Sequence, residues 1–353
     1  MKEKKPIIGI TMGDPSGIGP EIIAKALFRP EIYEICRPIV IGDAKVMLQI
    51  IDIIKKDLKI NVVNKVSDAK FKYGIIDVYD LNNIDIDKLI FGKVSEMCGR
   101  AAGEYIEKTI EFASKGIVDA TVTAPIHKEA FKLGGYGNKY PGHTEMYAAL
   151  TNTKNYTMML AHGNFRVVHV STHVSLRKAC DLVKKKRILD VIKIAHNACK
   201  SLGIENPKIA VAALNPHASD GGLFGDEEEK EIIPAIEEAK KQKMDVYGPF
   251  PSDTIFSRAR GGEFDIVVTM YHDQGHIPMK LSGFEWDDAS KQWKNVSGVN
   301  VTLGLPIIRV SVDHGVAFGK AGKGFAIPQS LIDSIYLATH MTNQNKKKME
   351  VLK

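Results

Sequence analysis

Short runs of aliphatic and β-branched residues alternate along the chain with stretches whose apolar positions recur every three or four residues. The runs at 6–12, 38–41, 120–123, 166–172, 208–214, 264–271 and 307–312 read as buried strands. Helical spacing predicts helices over 20–28, 95–114, 182–201 and 226–241. In the second of these, Ala102, Ile106, Ile110 and Ala113 share one face. In the last, Asp226, Glu227, Glu228 and Glu229 open the helix and Lys240 and Lys241 close it, as its dipole favours. Strands alternating with helices predict a largely parallel α/β sheet. A chain of 353 residues exceeds what one hydrophobic core usually serves, so two lobes are expected. Gly134, Gly135 and Gly137 suggest the crossing out, and the stretch 300–309 the crossing back. The expected first lobe is 1–133 plus 309–353, and the second 134–308.

Composition adds exclusions. Hydrophobic content of 44% and charged content of 25% are those of an ordinary globular protein. The net charge of +6 owes part of its excess to Lys346, Lys347 and Lys348. No basic stripe is interleaved with aromatics, so a nucleic-acid partner is not expected; an anionic small substrate explains a mild positive balance as well. Cys36, Cys98, Cys180 and Cys199 are scattered without metal spacing and read as reduced thiols of a cytoplasmic protein. The first residues run straight into a strand without a signal-peptide apolar region, and no apolar run reaches membrane length. A cytoplasmic location without a membrane partner follows as the expectation.

Chemistry concentrates where strands end. His173, His217 and His272 each follow a β-rich run, where open α/β sheets place their ligand crevice. Neutral imidazole is also the usual nitrogen ligand of a divalent metal. Any one of them is more simply a satisfied structural histidine. Three in the same context favour a shared metal site, although no local metal motif links them. Lys280 and Arg309 offer a point charge and a bidentate fork, the two ways proteins bind phosphate, and Asn300 adds a neutral donor. His143 and Thr144 are adjacent donors after a glycine-containing loop. Lys128 is an anion-binding charge or a proton carrier, and Asp253 a fourth oxygen ligand or a base. Asp313 with His314 is either a second acid–imidazole pair or a buried structural one. The turn Gly13-Asp14-Pro15-Ser16-Gly17-Ile18-Gly19 looks like a phosphate loop, but Ile22 stands where a dinucleotide fingerprint needs its third glycine. A tight turn leading into a helix explains it equally well.

Taken together, these segments resemble the 4-hydroxythreonine-4-phosphate dehydrogenase family, nearly from end to end. The resemblance is carried by residues 11–21, Thr123-Ala124-Pro125-Ile126, Gly142-His143-Thr144-Glu145, Asn215-Pro216-His217-Ala218, Met270-Tyr271-His272-Asp273-Gln274-Gly275 and the stretch 300–315. It implies an isocitrate/isopropylmalate dehydrogenase-like fold of two lobes around a cleft, with NAD or NADP as oxidant in that cleft. It implies that His173, His217 and His272 hold a divalent metal (Zn, Mn, Co, Ni or Mg) in a site shared between the subunits of a homodimer, with Asp253 close by. His143, Thr144, Lys280, Asn300 and Arg309 match its substrate-binding positions. Three departures stand out. His127 occupies a position usually taken by Asn, Ser219-Asp220 replaces a commoner Gly-Glu, and an extra segment spans 284–294.

That extra segment resembles a second subgroup, acting on 4-phospho-D-threonate or 4-phospho-D-erythronate. The implied reaction is metal-assisted oxidation of the C3 hydroxyl of a four-carbon phosphorylated acid to a β-keto acid, which loses CO₂ to give dihydroxyacetone phosphate. Lys128 and Asp253 are the expected proton-handling residues. The alternative within the family is oxidation of 4-phosphooxy-L-threonine in pyridoxal phosphate biosynthesis. Alternatives of other classes are a phosphate acyltransferase, a metal-dependent hydrolase and a non-catalytic sugar-phosphate-binding module.

Overall fold

The computed structural model describes residues 4–289 and 291–351, so position 290 of the extra segment lies outside the described residues. The chain divides into two compact units, Met1–Lys154 with Leu305–Lys353, and Asn155–Gly304. The outgoing crossing therefore falls after Lys154 rather than at 133/134, and the return falls after Gly304 rather than at 308/309. Packing explains the shift. Phe131, Met146 and Tyr147 form a buried cluster with Ile106 and Ile110, against which Leu305 and Ile307 also pack. The glycine-rich stretch at 134–137 is a bend within the first unit.

The first unit opens with β1 (Ile7–Thr11), α1 (Gly19–Leu27), α2 (Pro30–Ile35), β2 (Arg37–Gly42), α3 (Ala44–Ile54), β3 (Lys59–Val63) and β4 (Ile75–Asp80). It continues through α4 (Glu96–Ser114), β5 (Ala120–Thr123), α5 (Lys128–Leu133) and α6 (His143–Leu150). The second unit holds β6 (Thr157–His162), β7 (Phe165–His169), α7 (Leu176–Asp181), α8 (Lys185–Ser201), β8 (Ile209–Ala212) and α9 (Ile233–Lys241). It also holds β9 (Val246–Phe250), α10 (Ser252–Arg260), β10 (Ile266–Thr269), α11 (His272–Gly283), β11 (Phe284–Asp287), β12 (Gln292–Val296) and β13 (Val299–Leu303). The chain then returns to the first unit with β14 (Arg309–Val312) and α12 (Gln329–Val351).

Both units are α/β, as the alternation predicts. In the first, the strand order is β3-β4-β2-β1-β5-β14 with every pairing parallel. In the second it is β13-β6-β7-β10-β8-β9. There β7, β10, β8 and β9 run parallel, and β6 runs antiparallel to both of its neighbours. Ile8, Ile10, Val167, Ala210 and Val267 are fully buried, which is why these strands read as continuous apolar runs. No helix among the described residues is long and apolar enough to cross a membrane.

Two expected helices are interrupted. The stretch 182–201 begins as a helix only at Lys185. The stretch 226–241 opens with a π-turn at Glu228–Ile232 before α9. Pro234 lacks an N–H for the first turn. Glu228, buried, accepts hydrogen bonds from Leu214 N and Asn215 N at 2.8 Å each. Its carboxylate fixes the loop that carries His217 instead of capping a helix.

A buried acid also ties the ends of the first unit together. Glu21, fully buried on α1, accepts from Lys25 Nζ and Ala326 N at 2.7 Å and from Gly324 N at 3.2 Å. Close packing governs α4 in the same way. A Cβ on Gly99 would lie 1.8 Å from Ala130 O of α5. Alanine gains about 1 kcal/mol over glycine in an open helix, whereas overpacking costs about 1–3 kcal/mol. Gly99→Ala is therefore expected to lower the melting temperature, and an unchanged or raised value would refute the tight α4–α5 contact.

Candidate active site

Parallel strands β7, β10 and β8 are neighbours, and each delivers one of the three histidines beyond its carboxyl end. His173 and His272 come together, their ring centroids 5.6 Å apart. Both line a cavity of about 250 Å³ with Thr172, Tyr271 and Asp273. His272 opens α11, and its Nδ1 donates to Asp273 Oδ1 at 2.6 Å. A carboxylate on Nδ1 leaves the Nε2 lone pair for a ligand, the arrangement that orients metal-binding imidazoles. His217 shows the same pairing, with Nδ1 3.2 Å from Asp220 Oδ2. It stands in a left-handed run, with φ of 55° at His217, 55° at Ala218, 75° at Ser219 and 44° at Asp220. Such strain in non-glycine residues persists where surrounding contacts enforce it, commonly at functional loops. Here Ser219 Oγ donates to Gly225 O and accepts from Gly222 N.

Among the described residues, no three His, Cys, Asp or Glu side chains converge as a metal site. The donor chemistry suits a divalent ion, yet one chain brings together only His173 and His272. His217 faces Asp220 and Phe224 instead. Asp253 is exposed on the first turn of α10 and joins no such group.

Behind His272 lies a row of imidazoles. His276 stacks on it at 3.6 Å and 11°, with Nδ1 donating to His272 O at 2.9 Å. His169, fully buried 4.8 Å from His276, donates from Nδ1 to Met158 O at 3.2 Å. Gln274 anchors the first turn of α11. Its Oε1 accepts from Met270 N at 2.5 Å, and its Nε2 donates to Ala213 O at 2.6 Å and Ser252 Oγ at 2.8 Å. Lys280 lies two turns along the same helix, and Asn300 on β13 directs Nδ2 at Met158 Sδ, 2.7 Å away.

The first unit carries the other anion-binding candidates. Arg309 is buried at the start of β14, donates to Thr123 Oγ1 at 2.7 Å and lies 5.5 Å over the Tyr147 ring. Burial pushes its guanidinium down to about 10, leaving it charged at neutral pH. His143 opens α6 with Nε2 shielded from solvent. Burial, then the Arg309 charge, hold its pKa well below the ordinary histidine range. Thr144 follows it, half-buried, while Lys128 is exposed at the start of α5. The turn after β1 spends its groups internally, because Asp14 N donates to Pro125 O at 2.9 Å and Asp14 Oδ1 accepts from Ser16 N and Oγ. Gly13 is required there: its φ is 73° and a Cβ would sit 2.4 Å from Pro125 O. Asp313 N donates to Ser330 Oγ at 3.1 Å, and His314 Nδ1 lies 3.0 Å from Gly315 O.

His276 is the neighbour of the candidate ligands that sequence reasoning missed, while Asp273, Gln274 and Asp220 stand in the quoted motifs without an assigned role, although acids one and three positions after the candidate ligands are a visible signal. The buried histidines also set a pH response. Burial, then His276, push His169 down to about 3. Below the unfolded value of about 6.5 the unfolded chain binds more protons than the folded one. Stability is thus full above that pH and falls by about 1.4 kcal/mol per unit for each such group as the solution is acidified. Urea midpoints measured from pH 7 to 5 are expected to fall less steeply in His169→Gln; parallel curves would contradict a neutral buried imidazole.

The sequence profile described as pyridoxal phosphate biosynthetic protein PdxA matches residues 34–338. A relative from Clostridium botulinum (strain Hall), provisionally named D-threonate 4-phosphate dehydrogenase, is 47% identical over 347 residues, 98% of this chain and 100% of its own. One from Oceanobacillus iheyensis with the same provisional name is 47% identical, covering 96% of this chain and 98% of its own. The solved 4-hydroxythreonine-4-phosphate dehydrogenase of Burkholderia phymatum matches with a TM-score of 0.82 and 43% identity, over 96% of this chain and 99% of that one. Fold and relatives together define a dehydrogenase, which sets aside the acyltransferase, hydrolase and non-catalytic readings. The chain belongs to the family of the pyridoxal phosphate biosynthetic protein PdxA.

Proposed function

We propose that this dehydrogenase uses NAD, or NADP, to oxidise the C3 hydroxyl of 4-phospho-D-threonate or 4-phospho-D-erythronate. The resulting β-keto acid loses CO₂ to give dihydroxyacetone phosphate. The observation that carries the choice is 47% identity, over the full length, to relatives provisionally named for D-threonate 4-phosphate. Arg309 and Lys280 bind the phosphate through charge-assisted hydrogen bonds. The phosphate is remote from C3, so its binding energy goes into positioning the reacting carbon. His143, kept neutral beside Arg309, presents a single N–H to a substrate oxygen, with Thr144 and Asn300 adding uncharged donors. His173 and His272 supply two imidazoles to a divalent cation, and His217 of a second copy completes the set in a homodimer. When bound, the nicotinamide supplies a hydride acceptor and the cation lowers the pKa of the alcohol. Lys128 and Asp253 carry the hydroxyl proton to solvent.

The test is NADH or NADPH formation with each of 4-phospho-D-threonate, 4-phospho-D-erythronate and 4-phosphooxy-L-threonine, before and after chelation. The sugar-acid phosphates are expected to turn over fastest, and chelation to abolish turnover until Zn²⁺ or Mn²⁺ is restored. Preference for 4-phosphooxy-L-threonine would move the chain to the biosynthetic subgroup, and full turnover after complete metal removal would sink the role given to the histidines.

A further inference from the structure

The extra segment forms an antiparallel hairpin in which Phe284 pairs with Val296 and Trp286 with Trp293. Its root is clamped to the end of α11. Ser297 N donates to Gly283 O at 3.0 Å, and a Cβ on Gly283 would meet Ser297 O at 2.4 Å. The hairpin thus has a fixed direction relative to the helix that bears His272, His276 and Lys280. Those three are spaced four apart and share one helix face. Phe284 packs edge-on against Trp293 at 5.5 Å and 74°, and Trp293 against Trp286 at 5.2 Å and 79°. At the near end of this aromatic row, the Lys280 ammonium lies 4.3 Å from the Phe284 ring centroid. An isolated two-stranded hairpin is marginal in water. The backbone clamp at its root, the aromatic row and that cation–π contact all join it to the helix.

We propose that Phe284 is a positioning residue: its ring seats the Lys280 ammonium, so that the hairpin belongs to the apparatus recognising the substrate phosphate. The inference rests on the proposed role of Lys280. A lysine head on a flexible stem is a poorly directed phosphate ligand. A ring fixed to the helix end attracts the ammonium to its electron-rich face and narrows the space the lysine explores. Hairpin and phosphate site meet at this contact.

The two tryptophans of the chain, Trp286 and Trp293, both lie in the hairpin, so selectively excited tryptophan emission reports on it alone. Full-length Phe284→Leu is expected to raise KM for 4-phospho-D-threonate about three- to fivefold, the size of an exposed cation–π contact, with kcat changed less than twofold. Phe284→Tyr, which keeps the ring, should restore KM to within twofold of the parent. Lys280→Met should raise KM more, and adding Phe284→Leu to it should change nothing further. Titration with inorganic phosphate should shift tryptophan emission in the parent and not in Lys280→Met. If Lys280→Met leaves KM unchanged, the phosphate role of Lys280 fails and the inference with it. If Lys280→Met raises KM but Phe284→Leu does not, or multiplies KM equally in both backgrounds, the inference alone is overturned. A Phe284→Leu chain that fails to fold leaves Phe284→Tyr and the emission titration to decide: loss of parent-like KM in the tyrosine variant, or no emission shift in the parent, overturns it.

Discussion

His272→Ala is expected to lose turnover by about a thousandfold or more and to be purified with far less bound metal. His272 is the imidazole in which the site features coincide. It follows the central strand of the β7-β10-β8 set, lines the cavity with His173, and carries Asp273 on Nδ1. A Lewis acid at the reacting oxygen is worth several kcal/mol, and each 1.36 kcal/mol is a factor of ten in rate. Asp273→Asn should act in the same direction but less, about 10–100-fold in metal affinity, because it disturbs only the orientation and basicity of the ring. Metal analysis of the purified variants alongside steady-state rates checks both. A His272→Ala chain with parental rate and metal content would remove the imidazole cluster from the chemistry.

The second large effect belongs to Arg309. Arg309→Lys is expected to lower kcat/KM about a hundredfold, chiefly through KM, although the charge is kept. A guanidinium presents a planar fork that matches two phosphate oxygens, whereas an ammonium in the same buried place lacks it. Losing one or two hydrogen bonds to a charged partner costs about 3 kcal/mol, which is the hundredfold expected. The Tyr147 ring beneath Arg309 preserves its packing in the parent, so a melting curve must accompany the kinetics. Parental KM in a folded Arg309→Lys variant would show that the phosphate is bound elsewhere.

How much could be read beforehand followed from burial. Strands covered on both faces, such as Ile8 to Ile10 or Val267 with Val268, are unbroken apolar runs and were legible at once. Strands that carry polar residues were not: β3 interleaves Lys59 and Asn61 with apolar residues, and β13 carries Asn300 and Thr302. Helix α12 hides its apolar face, Leu331, Ile335, Ala338 and Met341, among Ser, Thr and Asn. At the site, the placement of His173, His217 and His272 after strand ends was legible because strand ends are. Their orientation was not. The left-handed backbone at 217–220 has no simple composition signal, and the grip of Glu228 on Leu214 and Asn215 joins residues that no local pattern connects. The crossing at 134 was misplaced because glycine marks a bend regardless of what packs on either side of it.

The return of the chain to its first unit has a consequence for biosynthesis. Residues 155–304 are contiguous and can close as they leave the ribosome, while β5 waits for β14 and Glu21 waits for the amides of Gly324 and Ala326. At about 5–20 residues per second that delay lasts roughly tens of seconds, with a strand edge open to wrong partners throughout. A nascent chain stalled near 300 should therefore yield a protease-resistant 155–304 fragment and a leading segment that depends on chaperones.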